Sequence, residues 1–168
     1  AAIDAYSGGG LLTALLAPQI GKAYGIEAVA EASACADALV EPNKLEGRMF
    51  NICGRVEDKL PEVLNGLIAK ETFLVVDPPR KGVDRGTLRA ILESGIPRIA
   101  MISCNPATMA RDVGILTGAL VEEGNELKKN PNYTAGGKDG YYSIVSVQPF
   151  DMFPQTKWVE TLVCLERK

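Results

Sequence analysis

Thr72-Phe73-Leu74-Val75-Val76-Asp77-Pro78-Pro79 reads as a strand and its abrupt stop. The run up to Val76 is continuously apolar, without the alternation of a half-exposed strand. That is the pattern of a parallel strand covered on both faces. Each proline fixes its own φ and restrains the residue before it, so Asp77 stands at a rigid corner at the strand's carboxyl end. A parallel strand needs crossover connections, and the flanking sequence supplies them. Strand-like runs at Ala2 to Tyr6, Tyr24 to Val29, Arg48 to Cys53 and Arg98 to Ser103 alternate with helical spacing at Leu11 to Ile20, Glu31 to Asn43, Glu57 to Ala69, Asp84 to Ser94 and Ala107 to Glu123. This alternation predicts an α/β fold with a mostly parallel, doubly wound sheet. Tyr142 to Gln148 and Val159 to Glu166 are strand-like with no helix between them, so they are expected to close the sheet as an antiparallel hairpin. Residues 125–140, rich in Lys, Asn and Gly, read as an exposed loop.

The chain has 168 residues, enough for one domain with its own core, and 46% hydrophobic against 23% charged residues is a globular balance. No apolar run approaches the roughly 20 residues that cross a bilayer, and no basic segment leads into an apolar one at the start, so no membrane association is expected. A net charge of −3 argues against a domain that grips nucleic acid unaided. It is compatible with a catalytic domain whose grip lies elsewhere in a longer polypeptide. The four cysteines are far apart and there is no histidine, so no metal site is expected. Free thiols suit a reducing cytoplasm. Without histidine, proton transfer falls to Asp, Glu, Lys, Tyr or Cys.

Ligand sites of open α/β sheets lie outside the carboxyl ends of the strands. Five features fall there. Asp4-Ala5-Tyr6-Ser7-Gly8-Gly9-Gly10 is a glycine turn between the first strand and the first helix, although Thr13 breaks a G-x-G-x-x-G spacing. Glu27 ends the second strand, where a carboxylate can accept from a ribose diol. Asp77 ends the fourth. Cys104 ends the fifth, in Ser103-Cys104-Asn105-Pro106, placed for nucleophilic work. Glu160 opens the last strand, after an apolar loop carrying Met152, Phe153 and Trp158 that could stack on a planar substrate. Taken singly, each has a plainer reading: a tight turn, surface carboxylates, a small buried hydrophobe. Cys35, Cys53 and Cys164 fit burial better than Cys104, because each lies within an apolar pattern.

Asp4 to Gly10, Asp77-Pro-Pro-Arg-Lys-Gly82, Ser103-Cys-Asn-Pro-Ala-Thr-Met-Ala-Arg-Asp112 and Asp151-Met-Phe-Pro-Gln-Thr156 with Val159-Glu160-Thr161 together resemble the S-adenosylmethionine-dependent RNA (uracil-5-)-methyltransferases. The resemblance implies a Rossmann-like methyltransferase fold and S-adenosylmethionine as cofactor, lined by Tyr6, Ser7, Gly8, Gly10, Glu27 and Asp77. It implies Cys104 as the nucleophile that adds to carbon 6 of uracil and Glu160 as the base that takes the proton from carbon 5. The substrate would be ribosomal or transfer RNA, held largely by upstream domains. Residues 1–168 would then be the C-terminal catalytic domain of a longer protein. Two positions depart from the family's pattern: Ser7 stands where relatives usually have Cys, and Trp158 where they often have His. The rival readings are a non-catalytic module with the same fold and a methyltransferase acting on another base. An exocyclic-amine methyltransferase would follow Asp-Pro-Pro with an aromatic residue, where this chain has Arg80, and would leave Cys104 without a role.

Overall fold

The computed structural model describes residues 1–124, 126–134, 142–156 and 158–168. Five parallel strands form its frame: β1 (Ala2–Ala5), β2 (Ala23–Glu27), β3 (Met49–Cys53), β4 (Phe73–Val76) and β5 (Arg98–Ser103). Helices α1 (Leu11–Ile20), α2 (Ala30–Asp37), α3 (Val56–Leu64), α4 (Arg85–Glu93) and α5 (Pro106–Leu116) connect or follow them. The strand order is β3-β2-β1-β4-β5-β9-β8, with β8 (Tyr142–Phe150) and β9 (Glu160–Arg167) forming the antiparallel end. The expected mostly parallel sheet with a closing hairpin is present. β9, not β8, pairs with β5.

From β1 the chain winds outward through β2 and β3; it then returns to β4 on the other side of β1 and winds the opposite way. The carboxyl ends of β1 and β4 therefore flank the crevice where the winding reverses, the place where such sheets bind ligands. Ile3, Ile26, Leu74, Val76, Met101 and Leu165 point to one face, into the larger core under α3, α4 and α5. Ala2, Ala23 and Met49 point to the other, under α1 and α2. β4 is apolar throughout because its neighbours and both layers cover it, which is why its sequence shows no alternation.

Local signals set the helix starts near the crevice. Asp84 caps α4 by accepting from the Thr87 N–H at 2.9 Å. Asn105 caps α5 by accepting from the Ala107 N–H at 3.2 Å, and Pro106 occupies the first turn, where its missing N–H costs nothing.

Several expectations are corrected. α5 stops at Leu116 and does not run on to Glu123, because Gly118 takes a left-handed φ of 79° that ends the helix. The residues beyond form β6 (Leu120–Glu123), paired with β7 (Glu126–Lys129) inside the stretch read as a loop. Leu120 folds back on Gly114 of α5 so closely that a Cβ there would lie 2.8 Å from its Cδ1. Residues 125 and 135–140 of that loop lie outside the described residues. α2 and α3 are shorter than their periodicity suggests. Cys35 and Cys53 are exposed, the first on the outer side of α2 and the second at the tip of edge strand β3.

One buried charge stands out. Asp4 is 1% exposed and accepts a 2.7 Å hydrogen bond from the Thr13 hydroxyl. Thr13, the residue that breaks the glycine spacing, is thus the partner of the acid that opens the turn. Burial pushes the Asp4 carboxyl from 3.8 up to about 6; the Thr13 hydrogen bond opposes the shift and the nearby Asp77 adds to it. Between those values the folded chain holds a proton that the unfolded chain has lost, so stability falls as pH rises through this window. Asp4→Asn removes that dependence. Relative to wild type, the variant is expected to gain about 2–3 kcal/mol on going from roughly pH 4 to pH 7.5. Urea unfolding at the two pH values checks this, and parallel behaviour of the two proteins would refute it.

Candidate active site

The turn from β1 to α1 uses its residues for different purposes. Tyr6, Gly8 and Gly10 have φ of 65°, 54° and 79°. The Ser7 N–H donates to the Ile26 carbonyl at 3.0 Å, fastening the turn to β2. A Cβ on Gly8 or Gly9 would meet nothing within 4 Å, so these two border open space. A Cβ on Gly10 would lie 2.5 Å from that of Ala36, so this glycine lets α1 start against α2. Tyr6 is half-buried, and its hydroxyl donates toward Asp84 Oδ2 (3.0 Å) and Thr87 Oγ1 (3.2 Å) at the start of α4. Burial, with the Asp84 carboxylate close by, drives its pKa upward.

Glu27 closes the turn from the β2 side. Its two oxygens accept from the N–H groups of Gly8 (2.9 Å) and Val29 (2.7 Å). The carboxylate is thereby fixed at the strand tip, with lone pairs left over for a further donor.

Strand register brings the remaining acid and the thiol to the same face. Phe73 and Val75 lie on the α1 side of β4, opposite Leu74 and Val76, and the alternation carries Asp77 to that side. On β5 the same side holds Ala100 and Ile102, and next Cys104. β5 and β9 pair antiparallel, with Ser103 opposite Thr161, so Cys104 follows the last paired residue of β5 and Glu160 precedes that of β9 at the same end of the pair. Glu160 in turn pairs with Phe150 of β8. Burial raises the Glu160 pKa and the Asp77 charge raises it further, which makes Glu160 a stronger proton acceptor than a free carboxylate. The Asp77 side chain reaches the surface, yet the protein packed around it desolvates the carboxylate and raises its pKa.

The loop after β4 is held by α5. The Asn105 amide donates to the Arg80 carbonyl at 3.0 Å, and the Thr108 hydroxyl reaches the same oxygen at 3.4 Å. Arg111 donates to the carbonyls of Lys81 and Val83, while the buried Asp112 accepts from the Val83 N–H at 2.8 Å. Gly82, at φ 80°, leaves no room for a Cβ: one would lie 2.5 Å from Arg111 Nη2. The second and third sequence blocks are thus one structural unit. Ser103 Oγ accepts from the Asn105 N–H at 3.0 Å, so the residues on both sides of Cys104 are tied down and the thiol is left half-buried. Sequence reasoning named Cys104 and Asp77 but not this scaffold. The spacing of Asn105, Thr108, Arg111 and Asp112 along one helix was the available signal.

Residues 63–123 match the family described as tRNA (uracil-5-)-methyltransferase. Over 164 residues, 98% of its length, the chain is 37% identical to an uncharacterized RNA methyltransferase of Clostridium acetobutylicum. Over 167 residues it is 39% identical to one of Listeria innocua. The chain is thus similar to RNA methyltransferases over nearly its whole length, and over residues 63–123 to the tRNA (uracil-5-)-methyltransferase family. It spans about a third of the length of these relatives, 31% and 32% respectively. Among solved structures, the Pyrococcus abyssi tRNA (uracil-54, C5)-methyltransferase, crystallised with S-adenosyl-L-homocysteine, superposes with a TM-score of 0.69 at 24% identity; the match covers 98% of this chain and 33% of that one. An rRNA methylase of Streptococcus thermophilus follows the same fold at a TM-score of 0.64 and 16% identity, over 99% of this chain and 85% of that one. These likenesses show the Rossmann-like methyltransferase fold.

Proposed function

We propose that residues 1–168 are the catalytic domain of a protein that methylates carbon 5 of a uridine in RNA, with S-adenosylmethionine as donor. The observation that carries this reading is the antiparallel pairing of β5 and β9, whose last pair is Ser103 with Thr161, the neighbours of Cys104 and Glu160, together with the Asp77 charge that reaches Glu160. The match of residues 63–123 to the tRNA (uracil-5-)-methyltransferase family and the likeness to RNA methyltransferases support the choice of RNA and of uracil. The residues at the crevice fit the donor: Gly8 and Gly9 border open space, and the Glu27 carboxylate is already oriented at the strand tip. In this reading Tyr6, Ser7, Gly8, Gly10, Glu27 and Asp77 surround the donor, with Glu27 on its ribose. When bound, the donor supplies an electrophilic methyl group on a sulfonium.

The chain's own residues supply the rest. Carbon 5 of uracil is a weak nucleophile. The Cys104 thiolate adds to carbon 6, and the electron pair of the 5,6 double bond moves toward the carbonyl as an enolate, which makes carbon 5 reactive. Once carbon 5 carries the methyl group, the ring is saturated there and bonded to sulfur. Glu160 removes the carbon 5 proton, the double bond re-forms, and the thiolate leaves. The raised proton affinity of Glu160 suits a base facing a weakly acidic C–H.

The test is methyl transfer to RNA by the full-length protein, followed by mapping of the modified nucleotide. 5-Methyluridine is the expected product; methylation at a base nitrogen would overturn the reading. On the donor side, Glu27→Ala is expected to weaken binding of S-adenosylmethionine by about 1–3 kcal/mol, because a hydrogen bond to a charged group is lost and Gly8 is freed from its tether. Titration calorimetry checks this, and unchanged affinity would remove Glu27 from the site.

A further inference from the structure

We propose that Arg80 binds the RNA phosphate adjacent to the target nucleotide, a role that rests on the RNA-methylating reading above. Its guanidinium carbon lies 4.9 Å from the centre of the Trp158 ring. Among the described residues, no hydrogen bond or ion pair engages the N–H groups of this side chain, whereas Arg111 is engaged by Asp112 and Arg85 by Glu122. A guanidinium stacked on an aromatic face keeps its donors at the edge of the plane, where they match two oxygens of a phosphate.

Both ends of the contact are fixed to the reacting groups. The Arg80 carbonyl is held by Asn105, the residue after Cys104, and Trp158 lies two residues before Glu160. The pair therefore bridges the loop behind the nucleophile and the loop leading to the base, at the rim of the crevice. Inside the rim carboxylates gather: the Asp77 charge reaches both Glu160 and Asp4. Uracil is neutral and can enter such a site, but its flanking phosphates are repelled by it. A pinned cation at the rim offsets that repulsion where the backbone must pass, in a chain whose net charge of −3 offers little general attraction. Trp158 thus orients the cation that holds the strand while the base reaches inward.

The test uses full-length protein and a short RNA in which single phosphates near the target are replaced, one at a time, by neutral methylphosphonates. For the wild type, one flanking position is expected to raise KM about tenfold with kcat little changed. Arg80→Gln should show that rise on unmodified RNA, lose about one unit of salt slope, and be insensitive to neutralisation at that one position. Trp158→Phe, which keeps a smaller aromatic face under the guanidinium, should raise KM in the same direction as Arg80→Gln but by less. A fall in kcat alone, or equal sensitivity of wild type and Arg80→Gln to every methylphosphonate, would overturn the proposal and make the contact a latch between loops. The two readings fail differently. Normal methylation with a silent Arg80→Gln removes only the phosphate site, whereas wild-type protein that neither methylates RNA nor forms an adduct with 5-fluorouridine RNA removes both. Thermal melting of the variants, expected to match wild type because Arg80 is exposed, keeps a folding defect from imitating a binding loss.

Discussion

Cys104→Ala is expected to abolish methyl transfer and to leave no covalent adduct with RNA that carries 5-fluorouridine. Loss of a nucleophile costs about a thousandfold or more in turnover, because nothing else can raise the electron density at carbon 5. Fluorine at carbon 5 leaves Glu160 no proton to remove, so wild-type protein should stop at the methylated, sulfur-bound ring and run as a retarded band on a denaturing gel. The structure makes the control sharp. Cys35 and Cys53 are exposed on α2 and at the tip of β3, away from the β5–β9 pair, so alanine at either should leave activity intact. Cys164 lies opposite Ala100 inside the sheet, so its removal tests packing and not chemistry. A Cys104→Ala protein with a normal rate would end the covalent mechanism.

Glu160→Gln should give the opposite gel with ordinary RNA. Thiol addition and methyl transfer precede the proton removal and do not need the carboxylate. An amide cannot take the proton, so the adduct should accumulate without any fluorine, while turnover falls by a factor of about one hundred to ten thousand. The Cys104→Ala/Glu160→Gln double variant should show no complex. Neither a non-catalytic module nor an exocyclic-amine methyltransferase produces such a species. Asp77 is the carboxylate whose charge reaches Glu160, so a fully active Glu160→Gln protein would transfer the role of base to Asp77. If neither adduct nor activity were seen, Glu160 would instead be needed to seat the base before sulfur attacks.

The parts that could be read from the chain are those where one physical cause acts alone. β4 and β5 are buried on both faces, so their apolar runs and abrupt polar ends survive in the sequence, and Asp77 and Cys104 follow directly. The α5 boundary was misread because Leu120 and Val121 continue a helical spacing, and only Gly118 marks the change. The neighbour of β5 was also beyond local reasoning: both late strands have the right composition, and the choice of β9 depends on the whole sheet. The same holds for Asp4 with Thr13 and for Arg80 with Trp158. Each pair is distant in sequence and close only after folding, so neither partner advertises the other. The glycine turn and the strand-end acids were legible as one cluster at the sheet edge, but not their division of labour, since only the packing of Ala36 shows that Gly10 serves the helix contact.

The position of β9 has a temporal meaning as well. It fills the place next to β5, yet it leaves the ribosome after α5, β6, β7 and β8. Throughout that interval the nascent domain can wind its parallel half while β5 keeps an open edge. The thiol of Cys104 is then present at a strand tip before Glu160 has joined the sheet. Arrival of the last strand closes the edge, joins β8 to the sheet and delivers Glu160 in one event. Synthesis therefore orders the parts so that Cys104 and Glu160 come to the same end of the sheet only when its last-made strand joins.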